Sequence, residues 1–159
     1  MIHWDYFDAP EVGRLTLVAD ADGLRHITFP QNRHPVSMDA AWRRDPEFFS
    51  EVRAQLGEYF AGRRRAFQLP LAPRGTPFQL RVWTALGQIP YGATVSYQWV
   101  AERIGNGRAA RAVGGAVGRN PLPIVVPCHR VIGRNGQLVG FGGGLSVKAH
   151  LLDLERRNP

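Results

Sequence analysis

The sequence predicts an α+β fold in two lobes: a small N-terminal antiparallel sheet with one helix over residues 1–72, then a mostly helical lobe with a helix-turn-helix over 73–159. Three observations carry this. Apolar residues alternate through the first thirty positions, the period of strands with one buried face. From residue 46 onward they recur at three- and four-residue steps, the period of amphipathic helices. After the first such helix, "LPLAPRGTPFQ" breaks the pattern with prolines and Gly75, which marks the boundary between lobes.

Each element follows in order. Ile2, Trp4 and Tyr6 alternate in "IHWDYF", and "RLTLVAD" and "GLRHITF" flank the turn residues Asp22 and Gly23, giving three short antiparallel strands. Residues 30 to 45 are polar and contain proline, so a loop is expected. "PEFFSEVRAQLGEYFAG" places Phe48, Val52, Leu56 and Tyr59 on one helical face to pack on the sheet. In the second lobe Thr76, Pro77 and Gln79 form a helix start: a capping hydroxyl, a proline where no N–H is needed, and an amide that reaches back. Phe78, Val82, Ala85, Leu86 and Ile89 then trace a buried stripe. "IPYGATVS" is a turn, and Ser96 caps a helix whose Tyr97, Val100, Ala101 and Ile104 share a face before Gly105-Asn106-Gly107 ends it. The next helix, "RAARAVGGAVGR", is seven-twelfths Ala or Gly, although each glycine weakens a helix by roughly 1 kcal/mol. Two readings stand: close packing inside the protein, or a slim helix with Arg108, Arg111 and Arg119 that enters a nucleic-acid minor groove. In "SVKAHLLDLERR", Val147, Leu151 and Leu154 mark a buried face that also carries Glu155.

Composition bounds the function classes. Twenty basic against 13 acidic residues give +7, and every basic residue except Lys148 is arginine, whose fork matches phosphate. Charge alone leaves a polyanion partner and mere solubility equally open, and the three arginines of "GRRR" are open in the same way. No apolar run reaches 18 residues and the N-terminus lacks a signal pattern, so no membrane association and a cytoplasmic location are expected.

The single cysteine, Cys128, lies in "NPLPIVVPCHRVIG". It could be a core thiol, a metal ligand, a redox sensor or a nucleophile. The other histidines show no zinc spacing relative to Cys128 and His129, and there is no second cysteine, so neither metal nor cofactor is expected. A nucleophile needs a thiolate, of which only a few per cent exists near neutral pH at a free pKa of about 8.5, so a base must assist. In an extended segment His129 would point away from Cys128; a backbone turn or a bridging water would solve that geometry. A buried Glu155 needs a donor, and an imidazole held by it would be a better base.

Over "GTPFQLRVWTALGQIPYGATVSYQWVAERIG", "ARAVGGAVGRNPLPIVVPCHRVIG" and "GGLSVKAHLLDLE" the sequence resembles the O6-alkylguanine-DNA alkyltransferases, with PCHRV the most specific signal. The first 70 residues match that family in layout, which implies a ribonuclease H-like lobe. The resemblance implies direct-reversal repair of double-stranded DNA, with the damaged nucleotide flipped out through the minor groove. Cys128 would accept the alkyl group of O6-alkylguanine once and irreversibly; activity on O4-alkylthymine is left open. His129 and Glu155 would activate the thiol through a water, and Tyr97 would bond N3 of the base. Lys148 and the Gly142 N–H would stabilise O6, and the carbonyls of Cys128 and Val131 would hold the exocyclic amine. Arg111 would fill the gap in the stack, Arg108, Ala110, Arg119 and Tyr97 would line the DNA, and Asn120 would tie the helix-turn-helix to the active-site strand. No obligate protein partner is implied, and cooperativity along DNA is left open.

One departure concerns the substrate loop. Phe141 stands where many relatives carry an aromatic hydroxyl, and the glycines 142–144 that follow are expected to loosen the loop. The rival from another class is a non-catalytic damage sensor of the alkyltransferase-like kind, which lacks the cysteine present here. A helix-turn-helix regulator is disfavoured, because the second helix offers few side chains able to read base edges.

Overall fold

A computed structural model describes residues 1–159. Strands β1 (His3–Ala9), β2 (Gly13–Asp20) and β3 (Gly23–Thr28) form the expected antiparallel meander, but β1 turns Asp5, Phe7 and Ala9 to the interior rather than the alternating Ile2, Trp4 and Tyr6, which lie on the opposite, half-exposed face. Their inner face, with Leu15 and Leu17 fully buried, packs on α1 (Ser50–Phe60). Gly23 has φ +139°, and a Cβ there would lie 2.5 Å from the Pro70 carbonyl oxygen. That close approach lets the inter-lobe linker run along β3, with Leu24 donating to Pro70 at 2.9 Å and Ala72 to Leu24 at 2.8 Å.

Two further expectations need correction. Residues 30–45 are not all loop, because β4 (Arg43–Arg44) pairs in parallel with β1, so the sheet is mixed, in the order β3-β2-β1-β4. Two exposed arginines leave no alternation to read. The pairing is held by backbone hydrogen bonds and by Arg44 on the buried carboxylate of Asp5 at 3.2 Å. Phe48 is also not on the buried face of the helix. The chain enters α1 through a 3-10 turn at Glu47–Phe49, which shifts the phase. Phe49 is therefore fully buried, whereas Phe48 is 42% exposed and stacks on His3.

The second lobe opens with α2 (Pro77–Leu86), started by the expected reciprocal cap between Thr76 and Gln79. Ser96 accepts from the Trp99 N–H at 3.0 Å and starts α3 (Tyr97–Arg103), just after a two-residue strand β5 (Val95–Ser96). Gly105 takes φ +81°, and the Asn106 N–H returns to the Ala101 carbonyl at 2.9 Å, a glycine-closed helix end. The chain then enters α4 (Ala110–Gly118), the second helix of the helix-turn-helix. A second short strand, β6 (Val131–Ile132), pairs in parallel with β5, and α5 (Leu145–Arg157) ends the fold. One apolar core runs from Leu15 and Phe49 of the first lobe through Val82, Val113 and Leu151 of the second.

Candidate active site

Cys128 sits where the chain leaves a proline-rich bend for β6. Its residue pair with His129 is not extended: Cys128–Arg130 form one 3-10 turn, with the Arg130 N–H on the Pro127 carbonyl at 3.1 Å. Proline at 127 fixes the entry to that turn, and the turn removes the opposite-face problem of an extended pair. Cys128 is 5% exposed and His129 fully buried.

Glu155 reaches this turn from α5. Its Oε2 lies 2.6 Å from His129 Nε2 and accepts from Arg130 Nη2 at 3.0 Å and from the Tyr59 hydroxyl at 2.7 Å. Its Oε1 accepts from Arg130 Nε at 2.9 Å and from the Gly92 N–H at 3.0 Å. Burial alone would raise the pKa of this carboxyl, but the donated bonds from His129 and Arg130 reverse that and hold it far below the usual range. An ionised Glu155 makes Nε2 the protonated nitrogen of His129, so Nδ1 bears the lone pair. Nδ1 is buried and has no protein partner. Burial also keeps the imidazole pKa low, against the pull of Glu155, so the ring is neutral and basic near pH 7. The Cys128 thiol is pushed up to about 11 by burial, opposed by Asn120 and Lys148.

The loop of residues 138–144 borders the cleft that reaches Cys128 and contributes Phe141, Gly142 and Gly143 to its wall. Lys148 Nζ, fully buried on α5, donates to the carbonyls of Val131 at 2.6 Å and Val139 at 2.8 Å, and the Tyr97 hydroxyl lies 3.4 Å from the same Val139 oxygen. The Val131 carbonyl, expected to face the base, is thus bonded to Lys148. The loop is anchored on the first lobe. Phe141 is buried against Phe29 of the first lobe with ring centroids 5.5 Å apart. A Cβ on Gly143 would strike the Phe29 ring at 2.4 Å, and the Gly142 carbonyl accepts from the Arg33 N–H at 2.7 Å. Between the lobes a cleft of about 490 Å³ reaches Cys128, with Asn120, Phe141, Trp42 and Arg74 in its walls.

Residues 77–157 match the family described as 6-O-methylguanine DNA methyltransferase, DNA binding domain, and residues 2–73 match the 6-O-methylguanine DNA methyltransferase, ribonuclease-like domain. The chain belongs to this methyltransferase family. It is 46% identical to the methylated-DNA–protein-cysteine methyltransferase of Methanosarcina acetivorans, over 97% of this chain and 98% of that one. The Mycobacterium tuberculosis protein of the same name is 47% identical over 98% of this chain and 93% of that one. A crystal structure of Mycobacterium tuberculosis OGT in complex with DNA superposes with a TM-score of 0.93 at 46% identity, covering 98% of this chain and 94% of that one.

In this methyltransferase the small-residue helix now has a physical reading. Neither Gly115 nor Gly118 has any atom within 4 Å of where a Cβ would stand, so internal packing does not require glycine at either position. Only Gly114 faces a neighbour, the Tyr97 ring at 3.8 Å. Arg111 and Arg108 are exposed on and beside α4, Ala110 is half-buried at its start, and Arg119, exposed at its end, lines the inter-lobe cleft. Asn120 links α4 to the bend before Cys128, donating to the Val126 carbonyl at 2.8 Å and accepting from the Leu122 N–H at 3.0 Å. No three His, Cys, Asp or Glu side chains cluster as a metal site, and no helix is long and apolar enough to cross a membrane.

Sequence reasoning missed Arg130, Tyr59, Gly92 and Val139. Arg130 stands inside the PCHRV motif and was available to be named. Tyr59 reads from its spacing only as a core aromatic, and Gly92 and Val139 act through backbone groups that carry no side-chain signal.

Proposed function

We propose that Cys128 removes the alkyl group from O6 of guanine in double-stranded DNA, irreversibly and once per protein molecule, with the nucleotide flipped out of the duplex. Family membership makes this chain a DNA-binding methyltransferase that repairs DNA by alkyl transfer. The assignment of the transfer to Cys128 rests on the buried His129, bonded through Nε2 to Glu155 with Nδ1 free, directly after a buried Cys128.

Since the thiol stays protonated at rest, the thiolate forms only as its proton leaves. A water between Sγ and His129 Nδ1 takes that proton to the imidazole, and Glu155 stabilises the imidazolium. The sulfur attacks the alkyl carbon, the C–S bond forms as the C–O bond breaks, and the electron pair goes to O6. The guanine anion is neutralised by the proton released from the thiol. Tyr97 at N3 and Lys148 with the Gly142 N–H at O6 stabilise the departing base, and the carbonyls of Cys128 and Val131 hold its amine. Loading requires the Val139 carbonyl to leave Lys148 and Tyr97. A stacked base is out of reach, so extrusion costs a few kcal/mol, which Arg111 offsets by filling the gap. The thioether has no easy hydrolytic exit, so the protein is spent.

Titrating the protein with excess duplex containing O6-methylguanine should give repaired guanine equal to the protein added and then stop. Continued product formation would contradict the single-use reading, and tight lesion-selective binding with no repair would point to a damage sensor.

A further inference from the structure

The first lobe contributes one side chain to the relay, and the family reading above gives it no part there. Tyr59, near the end of α1, is fully buried, and its hydroxyl donates to Glu155 Oε2 at 2.7 Å, the same oxygen that bonds His129. We propose that Tyr59 is a positioning residue for alkyl transfer: it fixes the Glu155 carboxylate against His129 from the opposite lobe and tempers its pull on the imidazole.

The geometry leaves the hydroxyl one orientation. The Tyr59 ring packs edge-on against Phe60 at 5.3 Å and Tyr91 at 6.4 Å, and tilted against Phe67 at 5.6 Å, so it is held on three sides. The phenol is a permanent donor, since burial and the neighbouring Glu155 charge keep it protonated throughout the working range. Tyr91, which faces the same carboxylate, does not serve: its buried hydroxyl has no partner.

A neutral donor on Oε2 draws off negative charge from the atom that holds His129. Without it the carboxylate would attract the imidazolium more strongly, so His129 would bind a proton at higher pH and cease to act as a base there. The other groups facing this centre are Arg130 and Cys128 from the turn, Lys148 from α5, and Tyr91, which lies beneath the guanidinium groups of Arg65 and Arg130. None of them changes when the Tyr59 hydroxyl is removed, so the direction of the shift belongs to that hydroxyl.

This inference rests on the alkyl-transfer reading, and its test keeps the two apart. Single-turnover rates are measured against pH on duplex O6-methylguanine for the wild type, Tyr59→Phe and, as a packing control at a buried position of α1 away from the Tyr59 ring, Val52→Ala. Tyr59→Phe should bind DNA as the wild type does and react about tenfold more slowly near pH 7, the size expected for one lost hydrogen bond to a charged group. The acid limb of its profile should move to higher pH, and Val52→Ala should leave that limb in place. Should Tyr59→Phe be recovered unfolded, 3-fluorotyrosine placed at residue 59 keeps the packing with a stronger donor and should move the limb to lower pH. An unmoved limb in the folded Tyr59 variant, or an equal movement in Val52→Ala, overturns the proposal. A wild type that transfers nothing overturns the function instead.

Discussion

At the residue scale the chemistry concentrates on atoms that burial would otherwise silence. A buried thiol is a poor nucleophile, a buried imidazole a weak acid and a buried carboxylate an expensive charge. Their arrangement makes each a condition for the next: Arg130 and His129 keep Glu155 ionised, Glu155 keeps the proton on Nε2, and Nδ1 is left to accept the thiol's proton. The pH dependence follows. Burial depresses His129 below the ordinary 6.5, so it is neutral at pH 7, and the proposed proton relay should fail as pH falls through its lowered value. Lys148, pulled down by burial to about 8, loses as pH rises through that value the charge that the proposed mechanism sets against O6. The single-turnover rate should therefore trace a bell with its acid limb below 6.5 and its alkaline limb near 8. A rate that climbs without a break toward 11, where the thiol itself ionises, would mean that neither group takes part. Cys128, His129 and Glu155 were legible in the sequence because the motif and the helical face name them. Arg130 and Tyr59 converge on Glu155 from 25 and 96 residues away, and no local period records such a meeting.

At the element scale, the small-residue helix α4 shows stability given up for an outer surface. Alanine at Gly115 meets nothing inside the protein, so Gly115→Ala should raise thermal stability, by up to about 1 kcal/mol. The same methyl should weaken duplex binding if this face presses into a groove; unchanged affinity, read by fluorescence anisotropy, would remove α4 from the interface. Arg111→Ala should slow repair of duplex substrate more than reaction with the free alkylated base, and equal losses on both would refute the gap-filling role. Long periodic elements were readable from the sequence: the meander, α1 to α3 and α5. Strands β4, β5 and β6 were not, since two residues cannot display an alternation. The turn at Cys128 was left open because its shape is set by Pro127 and by the side chains that gather around His129 and Arg130.

At the scale of the whole molecule the two lobes share one core and should unfold as one body. The core is continuous across them, Ile27 donates to the Pro121 carbonyl at 2.9 Å, and Tyr59 crosses to Glu155. Glu155→Gln leaves Arg130 and His129 without their carboxylate and should cost about 3–5 kcal/mol in urea unfolding, with both lobes still lost in one transition. Two separated transitions in the wild type would contradict a shared core. The sign of the acid response is fixed as well. Because the Glu155 pKa is depressed in the folded state, its stabilisation is complete above the ordinary carboxylate value and is lost as pH falls through the lower native one. The break at "LPLAPRGTPFQ" is legible as a change of pattern between the sheet-bearing and the helical part of the chain, yet nothing in the sequence signals that Tyr59 of the first meets Glu155 of the second, since each part's periodicity describes only its own face.

The most direct test of the central claim is mass spectrometry of the intact protein and its peptides after incubation with duplex DNA carrying one O6-methylguanine. The account predicts one added CH2 unit per chain, confined to the peptide that holds Cys128, with guanine restored in the DNA. Repaired guanine with an unmodified Cys128, or a methyl group found on another residue, would contradict it.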